Sequence, residues 1–266
     1  MNEQVTKYRT ELFCMALLLF WIITFSSGAS DREKERRWES QIIDSLLDGE
    51  PVKLKDEKGL EFLALHTGED LGNDRAVILV HGIGVHPDWP DVIYPLRVGL
   101  PEAGIPTLSI QMPILPNEKT SQDYLPLFSQ VGGRFNAAVR FLIKAGHGKI
   151  SIVAHSLGAT MAVDYLANNM VSEVDSLVIV GMGSGIEGSS VDNLKALQKI
   201  RLPILELYGS DDLESVLASA KLRETEFQSN RGEKYRIIVT EGANHFYQGF
   251  EDDLVNQVVD WLDHIR

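Results

Sequence analysis

The amino-acid sequence predicts an α/β domain in which a mostly parallel central sheet is flanked by helices on both faces. From about residue 60 to the end of the chain, short apolar runs typical of buried strands alternate with longer segments whose apolar residues recur at helical spacing. The strand runs are almost continuously apolar, which is typical of parallel strands covered on both faces. With 266 residues, 44% of them hydrophobic, the chain can bury one sizeable core, so we expect one main domain.

The predicted elements follow one another in a regular order. Residues 30–57 are rich in charge, with weak helical spacing at 38–47, and are expected to be a lead-in to the main domain at 58–266. Runs dominated by apolar residues predict strands at 60–65, 76–80, 106–111, 149–154, 176–181, 203–208 and 235–240. Segments with apolar positions three and four residues apart predict helices at 90–102, 124–144, 159–168, 191–200, 213–227 and 250–265.

The N-terminus has the layout of a secretory signal. Lys7 and Arg9 precede an apolar stretch at 12–25, and the small residues Ser27 and Ala29 follow it. The stretch is shorter than the ~20 residues that a membrane-spanning helix needs. Acidic residues before the stretch and basic residues after it weaken this interpretation without reversing it. We expect residues 1–29 to be a signal peptide or an N-terminal anchor, and the protein to be exported, periplasmic or envelope-associated, with membrane attachment only through this segment.

Charge and cysteine content exclude several classes of function. The formal net charge of -13 gives a field that repels polyphosphate backbones, and no cluster of basic residues offsets it, so we expect no nucleic-acid partner. The one cysteine, Cys14, lies inside the N-terminal apolar stretch. A structural disulfide, a thiolate nucleophile and a cysteine-ligated metal are therefore not expected in the folded domain.

A serine lies between a predicted strand and a predicted helix, in a motif that holds nucleophiles. The segment Ala154-His155-Ser156-Leu157-Gly158 has small residues two positions before and two after the serine. These permit a tight strand-to-helix turn that exposes the hydroxyl. The alternative is a serine that merely caps the helix.

A serine nucleophile needs a base within hydrogen-bond reach and an acid behind that base. His245 directly follows the strand predicted at 235–240, whereas His264 falls in the last turn of the closing helix, where a solvated histidine is usual. The strand predicted at 203–208 is followed by two acids. We prefer Asp212 to Asp211, which could instead cap the next helix. His245 could also serve only to cap a loop.

Two backbone N–H groups are candidates for an oxyanion hole. The N–H of Leu157 lies at the start of the helix that follows the serine. The second donor is expected from the segment His81-Gly82-Ile83-Gly84, as the N–H of Ile83, because the flanking glycines permit close backbone approach.

Two further patterns are weaker. The segment 183–188 matches G-x-G-x-x-G, with Glu206 beyond it, but it does not open a helix directly, and we interpret it as a flexible loop rather than a dinucleotide site. The four potential metal ligands His81, His86, Asp88 and Asp91 match no metal-binding spacing. We expect no cofactor and no metal.

The chain resembles the α/β-hydrolase superfamily over residues 60–266, with the segments 81–84, 154–158 and 209–212 and His245 in matching order. Alanine at position 154 replaces the usual glycine. More narrowly, the segments 81–90, 95–97 and 107–110 are similar to DUF3530, a family of uncharacterised exported bacterial proteins. About twenty residues separate the strands predicted at 176–181 and 203–208, so no large cap domain is expected. The resemblance implies an open cleft shaped by residues 84–91 and 183–190.

The residues and the resemblance together predict a serine hydrolase that cleaves a carboxylic ester or thioester through the catalytic residues Ser156, Asp212 and His245 and an acyl-enzyme intermediate. The expected partner is a small-molecule or lipid-like acyl substrate. A peptidase or amidase that uses the same residues, and a non-catalytic envelope protein that keeps the fold for binding, remain alternatives.

Overall fold

The computed structural model describes residues 29–69, 72, 74–227 and 231–265. Residues 1–28 of the predicted signal peptide or anchor, with Cys14, lie outside the described residues. The strands are β1 Glu50–Lys55, β2 Glu61–Thr67, β3 Arg75–Val80, β4 Thr107–Ile110, β5 Lys149–His155, β6 Val174–Val180, β7 Ile204–Asp211 and β8 Tyr235–Asn244. The α-helices are α1 Arg32–Ser45, α2 Ile93–Glu102, α3 Phe128–Ala145, α4 Leu157–Asn168, α5 Asn193–Lys199, α6 Glu214–Phe227 and α7 Glu251–His264, with 3₁₀ turns at Ser121–Leu127 and Gly232–Lys234.

The eight strands form one sheet in the order β1-β2-β4-β3-β5-β6-β7-β8. β2 pairs antiparallel with β1 and with β4, and every pairing from β4 to β8 is parallel. The predicted mostly parallel sheet is therefore confirmed. After β3 the chain adds β4 on one side and β5 on the other, so the direction of winding reverses there. The carboxyl ends of the strands beside such a reversal leave a crevice in which sites form.

Helices cover both faces of the sheet, because alternate residues of each strand point to opposite sides. Ile78 and Val80 of β3 belong to an apolar cluster that includes Phe135 of α3. Val77 of the same strand packs in a second cluster with Trp261 of α7. Between β6 and β7 the described chain contains α5 and no cap domain, as expected. None of the helices in the described ranges is both long and apolar enough to cross a membrane.

Three strands differ from the sequence prediction. β1 was not predicted, because it is an edge strand in which Leu54 alone is buried and no apolar run exists. β7 and β8 continue beyond 208 and 240, and the register of their pairing shifts between Gly209 and Asp211. A Cβ atom on Gly209 would overlap the carbonyl oxygen of Ala243. Glycine at this position therefore permits the close, irregular pairing of β7 with β8 where the sequence predicts a turn.

The charged segment 30–57 contains α1 and β1. On α1, Ile42 packs on Leu63 and Leu65 of β2 and forms a small third apolar cluster. The helix thus covers the antiparallel end of the sheet.

A buried ion pair joins α6 to the sheet near the crevice. The guanidinium of Arg223 donates to both carboxylate oxygens of Glu206 on β7, at 2.5–3.1 Å, and both side chains are only 1% exposed. Arg223 also donates to the carbonyl oxygens of Met182 and Gly183, at 2.7 and 3.1 Å. The Tyr235 hydroxyl donates to the Glu206 carboxylate. This network connects α6, β7 and β8 to the segment that follows β6.

We expect Arg223→Met to lower the free energy of unfolding by about 3–5 kcal/mol, because it leaves the Glu206 carboxylate buried without a cation. Urea denaturation followed by circular dichroism measures this loss. Arg236→Met on the exposed face of β8 is the matched control and should change stability by less than about 0.5 kcal/mol. Adding Glu206→Gln to Arg223→Met should recover part of the loss. Equal stability of Arg223→Met and the control would contradict a structural role for the pair.

Candidate active site

The structure brings Ser156, His245 and Asp212 together at the carboxyl ends of β5, β8 and β7. His245 Nε2 lies 3.1 Å from Ser156 Oγ, and His245 Nδ1 lies 2.6 Å from Asp212 Oδ1. Because an ionised carboxylate only accepts hydrogen bonds, the Nδ1–H donates to Asp212 and Nε2 is free to accept the serine proton. These three side chains, hereafter the candidate triad, form one continuous chain of hydrogen bonds.

Ser156 occupies a strained turn between β5 and α4. Its φ of 55° and ψ of -122° lie in a region that residues with a side chain rarely adopt. Its side chain makes no capping hydrogen bond to α4, so the alternative that this serine only caps the helix does not describe the structure. A Cβ atom on Gly158 would overlap the carbonyl oxygen of His81, so the motif requires glycine there. The turn tolerates Ala154, which is buried at the end of β5.

Asp212, rather than Asp211, contacts the histidine. The Asp212 side chain is 0% exposed, whereas Asp211 is exposed and its carboxylate accepts from the Ser210 hydroxyl at 3.3 Å. Asp212 Oδ1 also accepts the N–H of Leu213 at 2.7 Å. Asp212 Oδ2 is buried and has no protein partner among the described residues. The two adjacent acids, between which the sequence analysis preferred Asp212, thus have different environments.

Gly181, at the end of β6, is a residue of the site that the sequence analysis did not single out. Its φ is +58°, and a Cβ atom there would lie 3.0 Å from the His245 ring and 3.3 Å from Asp212 Oδ2. A side chain would therefore push the histidine away from the acid. The available signal was its position as the last residue of the strand predicted at 176–181, where glycine allows close approach.

The turn that carries His245 is held from several sides. The Asn244 side chain accepts the N–H of Phe246 at 2.9 Å. Tyr247 is fully buried and has a φ of 55°. His155 Nε2 lies 3.0 Å from the carbonyl oxygen of His245 and, as the N–H tautomer, donates to it. Burial lowers the pKa of His155 to about 4, so this ring is neutral at pH 7. The sequence analysis quoted His155 only as part of the serine motif and missed this contact.

The segment 81–84, hereafter the oxyanion loop, lies beside Ser156. His81 Nε2 accepts the N–H of Met112 at 2.9 Å, so its Nδ1 carries the proton and donates to the Gly82 carbonyl at 2.8 Å. Burial lowers the pKa of His81 to about 3, which keeps the ring neutral. The described chain has no cis peptide bond, so the N–H of Ile83 is directed opposite to the Gly82 carbonyl.

The two backbone donors named from the sequence both border the nucleophile. A Cβ atom on Gly82 would lie 3.3 Å from the Cβ of Ser156, which shows how close the oxyanion loop comes to the serine. Ile83 and Leu157 line the same cleft as Ser156. Within the described ranges, neither the Ile83 N–H nor the Leu157 N–H donates to a backbone acceptor.

The cleft at the candidate triad is small, about 170 Å³. Its walls include Gly183 and Gly185 from the segment 183–190 that was expected to shape it. The segment 84–91 contributes no wall residue, contrary to expectation. Within this segment, His86 packs between Trp38 and Trp89. Besides His245, the remaining wall residues are Ser121, Thr160, Gly181, Leu213, Ser215 and Val216.

The patterns that the sequence analysis set aside have other roles. Gly185 forms a β-bridge with Asp192, so the G-x-G-x-x-G segment pairs with the residue just before α5. Glu206, the acid of the dinucleotide hypothesis, is held by Arg223. Asp88 pairs with the buried Arg97 at 2.7 Å. The described residues contain no group of three or more side chains placed to hold a metal ion.

Comparisons with known proteins agree with this architecture. The family model described as DUF3530, protein of unknown function, matches residues 29–130 and 116–264. A search of curated proteins found no match. Among solved structures, a dienelactone hydrolase from Anabaena variabilis is 19% identical, with a TM-score of 0.63 over 81% of this chain and 96% of that chain.

Two further solved structures have similar folds. An esterase from Pyrococcus furiosus is 17% identical, with a TM-score of 0.62 over 84% of this chain and 93% of its own. An alpha-beta serine hydrolase homologue from Coxiella burnetii is 18% identical, with a TM-score of 0.61 over 81% of this chain and 98% of its own. At such identities the likeness shows the fold. The chain adopts the α/β-hydrolase fold and belongs to the DUF3530 family of proteins of unknown function.

Proposed function

We propose that the protein is a serine hydrolase that cleaves carboxylic esters or thioesters through an acyl-enzyme intermediate. The observation that carries the proposal is the continuous chain of hydrogen bonds from Ser156 through His245 to Asp212. It lies beside two backbone N–H groups that donate to no backbone acceptor among the described residues. A serine hydroxyl becomes nucleophilic when a base takes its proton and an acid orients that base. The names of the similar solved structures, which include an esterase and a dienelactone hydrolase, support the same class.

The acylation step follows from the geometry. Ser156 Oγ attacks the carbonyl carbon of the substrate as its proton passes to His245 Nε2, and the buried Asp212 carboxylate stabilises the imidazolium that forms. The negative charge that develops on the carbonyl oxygen is stabilised by the N–H groups of Leu157 and Ile83. When the tetrahedral intermediate collapses, the alcohol or thiol leaves with the proton from His245, and the acyl group stays on Ser156.

Deacylation repeats these steps with water. His245 takes a proton from a water molecule as the water oxygen attacks the acyl carbon, and the same two N–H groups stabilise the second oxyanion. Collapse of this intermediate returns the proton to Ser156 and releases the carboxylic acid. Each residue thus ends in its starting protonation state, and no cofactor is needed.

Cleft size and charge limit the substrate. A volume of about 170 Å³ is well below the roughly 300 Å³ at the lower end for sites that enclose a drug-sized ligand, which favours a short acyl group. Ile83 and Leu213 are exposed at the cleft and offer apolar contact. The net charge of -13 disfavours polyanionic substrates, nucleic acids among them. We propose a small, neutral or cationic acyl compound as substrate, and a location in the bacterial envelope based on the N-terminal sequence.

Labelling with a fluorophosphonate probe tests the mechanism. We expect the wild type to be labelled and to hydrolyse p-nitrophenyl acetate, and Ser156→Ala and His245→Ala to lower kcat by at least about 10³-fold. Ser215→Ala removes another hydroxyl of the same cleft and should retain labelling. A folded wild type that neither labels nor hydrolyses any ester would favour the non-catalytic alternative. Faster cleavage of p-nitroanilides than of esters would favour the amidase alternative.

Exchange of the two neighbouring acids tests the role of Asp212. Asp212→Asn removes the negative charge behind His245 and can hold the ring in the wrong tautomer, so kcat should fall by about 10²- to 10⁴-fold. Asp211→Asn removes the same charge at an exposed position and should change kcat by less than about threefold. Steady-state kinetics of both purified variants measure the difference, and equal losses would contradict the assignment.

A series of p-nitrophenyl esters tests the size limit. We expect kcat/KM to be at least about tenfold higher for the acetate or butyrate ester than for the octanoate, because the cleft cannot enclose the longer chain. Leu213→Ala should lower the ratio of acetate to octanoate kcat/KM, because it enlarges the cleft at its exposed edge. Leu47→Ala removes an exposed leucine between α1 and β1 that does not line this cleft, so it should leave the ratio unchanged. A wild-type preference for octanoate would rule out the small-substrate proposal.

A further inference from the structure

Helix α1 places two charged side chains in the interior, and one of them contacts the oxyanion loop. Lys34 and Glu35 are each 6% exposed, although they lie in the charge-rich segment ahead of the main domain. Burial of a charged side chain is costly unless it is paired and hydrogen-bonded. The partners of these two residues therefore indicate why the helix is present.

Lys34 binds the end of the oxyanion loop. Its ammonium nitrogen lies 3.2 Å from the carbonyl oxygen of Gly84, 2.9 Å from that of Leu115 and 2.6 Å from Asn117 Oδ1. An ammonium group has three protons, so these three acceptors satisfy it fully. The same nitrogen lies 4.6 Å from the centre of the Trp38 ring, which adds a cation–π contact. Desolvation by burial lowers the Lys34 pKa.

Glu35 supports the start of the loop through a longer path. Both of its carboxylate oxygens accept from Arg134, at 2.8 and 3.1 Å, and Arg134 donates to the carbonyl oxygen of Gln111 at 2.5 Å. The Gln111 side chain lies 3.0 Å from His81 Nε2. His81 in turn donates to the Gly82 carbonyl. Helix α1 thus contacts both ends of the four-residue loop, directly through Lys34 and indirectly through Glu35.

We propose that α1 contributes to the active site through Lys34. Lys34 is a positioning residue that holds the oxyanion loop so that the Ile83 N–H faces the reacting carbonyl. This inference rests on the proposed serine hydrolase function. Gly82 is fixed by His81 and Gly84 by Lys34, so the Ile83 peptide between them has little freedom to rotate. Gly84, with a φ of +68°, could otherwise allow such rotation.

Loss of Lys34 should act on the transition state. Loss of one oxyanion donor typically lowers kcat by about 10²- to 10³-fold, and a donor that is loosened rather than removed should lose part of that. We therefore expect Lys34→Met to lower kcat about 10- to 100-fold, with KM changed by less than about threefold. Lys34 makes no hydrogen bond to the candidate triad, so labelling of Ser156 should still go to completion.

The test uses the full-length chain and compares Lys34→Met with Arg36→Met, which removes an exposed cation from the same helix. Kinetics on p-nitrophenyl acetate give kcat and KM, and inhibition by ethylboronic acid gives a second readout, because its tetrahedral adduct on serine mimics the oxyanion. The inhibition constant for Lys34→Met should rise in proportion to the loss of kcat/KM. Arg36→Met should match the wild type in both measurements.

Each outcome decides the proposal. Equal kcat and equal boronate inhibition for Lys34→Met and wild type would overturn it while leaving the hydrolase function intact. A wild type that does not react with the fluorophosphonate would overturn both. If Lys34→Met does not fold, Asn117→Ala tests the proposal instead, because it removes one of the three acceptors of Lys34 at a surface loop. A smaller loss of kcat with a parallel weakening of boronate binding supports the proposal. Unchanged kcat and unchanged boronate inhibition refute it.

Discussion

The close packing of the turn at Ser156 against the oxyanion loop is the constraint on which the rest of the site depends. Gly158 has no room for a Cβ atom beside the His81 carbonyl, and Gly82 has little beside Ser156. Glycine at both positions lets two backbones approach closely enough for N–H groups to reach one oxygen atom. Gly181 lies on the other side of Ser156, where the absence of a side chain leaves space for the His245 ring.

Neutral buried histidines then fix the geometry that this packing permits. His81 and His155 both have pKa values lowered by burial, and each donates to a main-chain carbonyl, of Gly82 and of His245 respectively. A neutral imidazole has one donor and one acceptor nitrogen, so it fixes the direction of its hydrogen bonds without adding charge. The candidate triad therefore sits in a frame of oriented, uncharged groups, and Asp212 is the charge closest to the reacting histidine.

The fold and the candidate triad were accessible from the sequence because they depend on local patterns. Apolar runs predict the parallel strands, and turn residues after them mark Ser156, Asp212 and His245. β1 was missed because an edge strand with one buried side chain has no such run. The sequence analysis preferred Asp212 to Asp211, but only the structure shows that the Asp212 side chain turns inward while Asp211 stays exposed. Gly181 and His155 act through contacts between strands, which no single segment reveals.

Helix α1 shows why polar packing escapes pattern analysis. Hydrophobic periodicity detects a buried helix face only when that face is apolar, and part of the buried face of α1 consists of Lys34 and Glu35. Their partners are a main-chain carbonyl of the oxyanion loop and an arginine on α3, which become neighbours only after the sheet has formed. Residues 30–57 were expected to be a charged lead-in because of their many charged side chains. One of these side chains, Lys34, binds a main-chain carbonyl of a glycine-rich loop. Such carbonyls are bound by cations and hydrogen-bond donors and not by apolar side chains.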